Sequence, residues 1–100
     1  YHLKNEEVFY IISGSGLLET PDGNKNISAG DIVVCPPSEN GAHRIINNSQ
    51  TETLVYLDFD TVNSPEVVFY PNSDKVGVIV QGESSTFYRK NTNVDYYEGE

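Results

Sequence analysis

Basic residues are scarce in this chain: six Lys and Arg stand against fifteen Asp and Glu, giving a net charge of −9. A surface of that sign repels phosphate backbones, so no nucleic-acid binding through this domain is expected. Cysteine occurs once, as Cys35, which excludes an internal disulfide and fits a reducing, cytoplasmic setting. At the end of Ile32-Val33-Val34 it reads as a small buried side chain rather than a nucleophile. No apolar run approaches the length of a membrane span, and no signal-peptide pattern opens these residues, so no membrane partner is expected. No stretch carries a helical period long enough for a helix. Histidine is limited to His2 and His43.

What remains is a series of short strands separated by turn residues. Val8-Phe9-Tyr10-Ile11-Ile12 is a β-branched and aromatic run; Ser13-Gly14-Ser15-Gly16 and Leu17-Leu18-Glu19-Thr20 follow, which together read as a hairpin. Thr20-Pro21-Asp22-Gly23-Asn24 is the clearest turn, since Pro presets its backbone angle and Gly accepts a positive φ. Ala29-Gly30-Asp31 turns the chain into Ile32-Val33-Val34-Cys35. Further strands are expected over His43–Asn47 and Thr53–Phe59, then at Glu66–Tyr70 and Lys75–Val80. The fold class is therefore all-β. Residues 1–100 are read as one domain, with C-terminal strands and tail from about residue 61.

Alternation assigns faces to these strands. If Glu7 points inward, Phe9 and Ile11 share its face, while Val8, Tyr10 and Ile12 point outward. If His43 points inward, Ile45 and Asn47 follow it, and Arg44 and Ile46 point out. An outer face carrying Tyr10, Ile12 and Ile46 needs a cover, either a second layer or another subunit.

The chemistry sits in two spaced segments. His2 is followed after four residues by Glu7 and, after six more, by Gly14; Gly30 is followed after five residues by Pro36, then by Gly41, His43 and Asn47. Imidazoles combined with a carboxylate suit divalent first-row metals. The two segments resemble the paired motifs of the cupin family, the first reading His-x-His, Glu, Gly and the second Gly, Pro-x-Gly-x-x-His, Asn. The loop from Pro36 to Gly41 departs from that pattern by being longer. His2 aligns with the second histidine of His-x-His, so the first is expected immediately before Tyr1, with at least one further strand ahead of it closing the barrel.

The resemblance implies a jelly-roll β-barrel, a homodimer, and His2, Glu7 and His43 as ligands to a divalent metal ion, iron, manganese, nickel or zinc. It does not choose a reaction. A metal-dependent dioxygenase, isomerase or decarboxylase acting on a small molecule, a non-catalytic metal- or ligand-binding sensory module, and a structural barrel all remain open, because one scaffold hosts unrelated functions. Tyr10, Tyr56 and Asp58 are candidates for a general base by proximity alone. The C-terminal tyrosines Tyr96 and Tyr97 are read as packed on the barrel or exposed, in preference to stacking on a substrate.

Overall fold

A computed structural model describes residues 1–100. Its strands are β1 (Glu7–Ser13), β2 (Ser15–Thr20), β3 (Gly23–Ser28), β4 (Ile32–Cys35), β5 (Arg44–Ile46), β6 (Val55–Asp60), β7 (Glu66–Tyr70), β8 (Lys75–Ile79) and β9 (Thr86–Arg89). They form three antiparallel sheets, ordered β4-β1-β6, β3-β2-β5 and β7-β8-β9. The chain is all-β, and its first two sheets form a jelly-roll barrel. Phe9 and Ile11 of β1 and Val33 and Cys35 of β4 meet Leu18 of β2 and Ile27 of β3 in one buried cluster, with Ile45 and Leu54 packed against it.

The expected β1–β2 hairpin does not form. The two strands lie in different sheets, and only Gly14 separates them. Gly14 has φ +81°, and a Cβ there would lie 2.4 Å from the Thr53 carbonyl oxygen, so only glycine lets the chain turn this corner. The Pro21-Asp22 turn does join a hairpin, β2–β3, with Thr20 opposite Gly23 and the Thr20 hydroxyl donating to the Gly23 carbonyl at 2.9 Å. Gly30 turns β3 into β4, and so from one sheet into the other, with φ +92°.

The alternation expected for β1 holds: Phe9 and Ile11 are buried, and Tyr10 and Ile12 are exposed. Ile46 does not share their outer face, because β5 belongs to the other sheet. The exposed face of β4-β1-β6 is built instead by Tyr10 and Ile12 with Ile32 and Val34 of β4 and Val55, Leu57 and Phe59 of β6. Asn47 does not follow His43 inward; it is exposed and closes the next loop, donating to the Glu52 carbonyl and accepting from Ser49 N–H.

The third sheet gains a further partner from the start of the chain. Tyr1 N donates to the Phe69 carbonyl, Phe69 N–H to Tyr1, and Leu3 N–H to Val67, with His2 opposite Val68. With this sheet at one end, the molecule measures 54 × 26 × 24 Å, and its radius of gyration is 16.0 Å, against about 13 Å for an ordinary domain of this length. Tyr96 and Tyr97 pack edge to face on each other and are exposed to solvent.

Candidate metal centre

Three regions of the chain bring the sequence-expected ligands together. Glu7 opens β1 on its inner face, His43 directly precedes β5, and the pairing with β7 fixes His2. Glu7 Oε2 lies 3.1 Å from His43 Nε2 and 3.5 Å from His2 Nε2. All three side chains are mostly buried and line one cavity of about 500 Å³, bounded also by Thr20, Pro21 and Val68 to Ser73. That volume suits a small molecule.

Backbone geometry orients His43. Its Nδ1 lies 2.8 Å from the Gly41 carbonyl oxygen, which makes Nδ1 the donor and turns Nε2 toward Glu7. Phe9 packs edge to face against the same ring, with centroids 5.1 Å apart. Gly41 can stand so close only because it lacks a side chain: a Cβ there would overlap the Pro36 carbonyl. The long Pro36 to Gly41 loop therefore folds back tightly and keeps the imidazole in place.

The structure adds carboxylates that the motifs do not contain. Asp60 pairs with Glu7 across β1 and β6, so both share the inner face; its Oδ2 lies 3.9 Å from His2 Nε2. His2, Glu7 and Asp60 offer ligand atoms that all lie within 4.8 Å of one another, and His43 joins this set through Glu7. Asp58 lies opposite Phe9 and Tyr56 opposite Ile11, so both face inward. Tyr10 points outward and is set aside as a base.

A fourth carboxylate lies behind His2. Glu66 is 1% exposed and accepts N–H donation from Lys4, Asn5 and Val67. Its Oε2 lies 3.7 Å from His2 Nδ1, a buried nitrogen that has no hydrogen-bond partner of its own. Glu66 thus stands on the Nδ1 side of His2, with Glu7 and Asp60 on the Nε2 side, the place from which an outer carboxylate would support a metal-ligating imidazole.

The electrostatics of the cluster favour an added positive charge. Hydrogen bonding to Cys35 and to Glu7 raises the pKa of His43 to about 10, against the opposing effect of burial. Burial pushes the Glu7 carboxyl up, but the hydrogen bond and charge of His43, helped by His2 and Asp58, outweigh it and hold Glu7 below the usual carboxylate range. Asp58 and Asp60 are both raised, by burial first and then by the Glu7 charge. Carboxylates that raise one another, next to an imidazole that retains its proton, form a site where a cation relieves repulsion. Two imidazoles and two carboxylates are also a suitable donor set for a divalent first-row ion.

Comparison with known proteins bears on the same residues. Residues 1–60 match the cupin domain family. A solved structure from Acidithiobacillus ferrooxidans, provisionally named a sugar phosphate isomerase, is 33% identical with a TM-score of 0.77; the match covers 94% of this chain and 58% of that one. A sugar phosphate isomerase of the cupin superfamily from Silicibacter pomeroyi is 19% identical with a TM-score of 0.81, and covers 98% and 61% respectively. The second likeness concerns the fold alone. The chain spans about three-fifths of the length of these two proteins, and no curated protein matches it.

Proposed function

The chain belongs to the cupin family, and from that premise we propose that it is a metal-dependent isomerase of small polyhydroxylated substrates, sugar phosphates above all. The observation that carries this reading is the convergence of His2, Glu7 and His43 at a cavity of about 500 Å³, with Asp60 beside His2 and Glu7. The 33% identical neighbour named for such an activity supports it. We take residues 1–100 as the single domain concerned. A cytoplasmic setting suits its buried free thiol, Cys35, and no helix is long and apolar enough to cross a membrane.

His2, Glu7, His43 and Asp60 would hold the ion; iron, manganese, nickel and zinc all suit this donor set. When bound, it supplies Lewis-acid polarisation of substrate oxygens. Around it the protein's own groups orient substrate and manage protons. Asp58 faces inward opposite Phe9, and its pKa is raised by burial and then by the Glu7 charge, so its carboxyl is the group we assign to pass a proton to or from a substrate. Val68 and Phe69 give the cavity an apolar wall.

Metal uptake by the stripped protein tests this reading. His43, with its pKa raised from 6.5 to about 10, is protonated at pH 7 and must lose that proton to become a ligand. Uptake at pH 7 is therefore expected to release about one proton per metal, and affinity should rise as pH climbs toward 10. The same sign applies to folding without metal: the stabilisation by charged His43 is complete below pH 6.5 and is lost as pH rises through about 10. Calorimetric titration in buffers of different ionisation enthalpy measures the proton count, and an aldose–ketose assay of the loaded protein measures the activity. Binding without proton release, or a loaded protein inert toward every sugar phosphate, would count against the proposal.

The homodimer is proposed on the outer face of β4-β1-β6. Ile32, Val34 and Phe59 are each more than half exposed there, and the outward positions of the three strands carry no charge. Two copies of an acidic chain can meet on such a face without opposing carboxylates. Light scattering is expected to give a dimer for the parent protein and a monomer for Phe59→Asp; a parent that stays monomeric at high micromolar concentration would sink the idea.

A further inference from the structure

The cavity at the metal cluster continues into a second recess of about 500 Å³, and the two share Tyr1, Phe69, Tyr70 and Pro71 among their lining. Lys75 and Lys90 line the far recess. The Lys75 ammonium lies 4.9 Å from the centroid of the Tyr70 ring, and that of Lys90 lies 5.7 Å from the centroid of Phe69, both within cation–π range. The ion pairs of the molecule involve His2, His43 and Arg44; none involves Lys75 or Lys90, although Glu39 and Asp74 line the same recess. In a chain with six basic residues and a net charge of −9, two ammonium groups positioned by aromatic rings and outside every ion pair are the donors this recess offers to an anion.

We propose that Lys75 and Lys90 form a phosphate subsite, and that the continuous cleft binds a phosphorylated sugar with its phosphate at these lysines and its carbonyl end at the metal cluster. This rests on the isomerase reading and extends it to residues that have no part in holding the ion. Charge matching selects phosphate over a single carboxylate: a phosphomonoester carries about two negative charges and three acceptor oxygens, enough to engage both ammonium groups. Between the two ends, Tyr1 stacks on Phe69 with centroids 4.9 Å apart and planes inclined at 19°. That pair gives the C–H face of a sugar ring an apolar surface to lie on.

The test is direct binding to metal-stripped protein, by calorimetry, of inorganic phosphate, a hexose phosphate, the same hexose without phosphate, and the corresponding uronate. The hexose phosphate is expected to bind at least roughly tenfold tighter than the hexose, the scale of a charge-assisted contact, with affinity falling as salt is added. Lys75→Ala/Lys90→Ala should lose that advantage with an unchanged melting temperature, and Lys75→Arg/Lys90→Arg should keep it. Equal binding of hexose and hexose phosphate, a uronate that binds as tightly as the phosphate, or an alanine double variant with parental affinity would each overturn the proposal. Metal uptake is measured separately on the parent protein: absence of phosphate binding with full metal uptake overturns the subsite and spares the metal centre, and phosphate binding without metal uptake does the reverse.

Discussion

A His43→Ala protein is expected to fold as the parent does and to lose its metal. His43 is the imidazole closest to Glu7, at 3.1 Å, and no other histidine lies on the barrel strands, since His2 is held by the third sheet. Removing it deletes one donor and also the main group that holds Glu7 below the usual carboxylate range, so the opposing effect of burial on Glu7 is then less well offset. The loss of affinity should exceed the roughly 10–100-fold that follows removal of a mere outer partner. The fold should survive because the buried cluster of Phe9, Ile11, Leu18, Ile27, Val33 and Cys35 does not include the imidazole. Elemental analysis together with circular dichroism decides the matter: a folded variant with full metal occupancy would remove His43 from the ligand set.

The largest effect on stability is expected at Glu66. Glu66→Ala removes the acceptor of the Lys4, Asn5 and Val67 N–H groups at a position 1% exposed. Each buried donor left without a partner costs about 1–3 kcal/mol. Lys4 is exposed and can turn to water, so a net loss of about 3–5 kcal/mol is expected, the range for breaking a buried charged network. Glu66→Gln should fall between the two, because its amide keeps one acceptor and aims a donor at backbone N–H groups. Urea unfolding measures this, and a Glu66→Ala midpoint indistinguishable from the parent would show that the network contributes nothing.

The readable parts of this sequence were those set by local periodicity. Phe9 and Ile11 inward with Tyr10 and Ile12 outward follows from the pleat alone, and so does the hairpin at Pro21-Asp22. The spacing of His2, Glu7 and His43 singled out three side chains that line one cavity. The false hairpin at Gly14 shows the limit. A glycine corner marks where a strand bends, but whether β1 and β2 then pair is decided by β4, β6, β3 and β5, which lie far along the chain. Asp60 was missed because its phase depends on the register against Glu7; following the alternation one step beyond Asp58 would have found it. Glu66 stands at the edge of an ordinary strand, and its burial comes from backbone donors 61 and 62 positions away. The strand Thr86–Arg89 was left unread among polar residues, and only its pairing with β8 defines it.

The ladder between the first residues and β7 bears on the order in which the molecule assembles. Glu7, His43 and Asp60 sit on or beside strands of the barrel, but His2 is held by contacts such as Tyr1 with Phe69, which close a span of 68 positions. Closing a loop of that length carries its entropic cost before any contact compensates it, and long-range pairing of this kind is slow. During synthesis the barrel strands that carry or flank Glu7, His43 and Asp60, three of the four proposed donors, leave the ribosome before β7 does. His2, the fourth, is held only once β7 has emerged, so with the proposed ligand set competence for an ion would be a late event in folding, acquired when the C-terminal sheet docks.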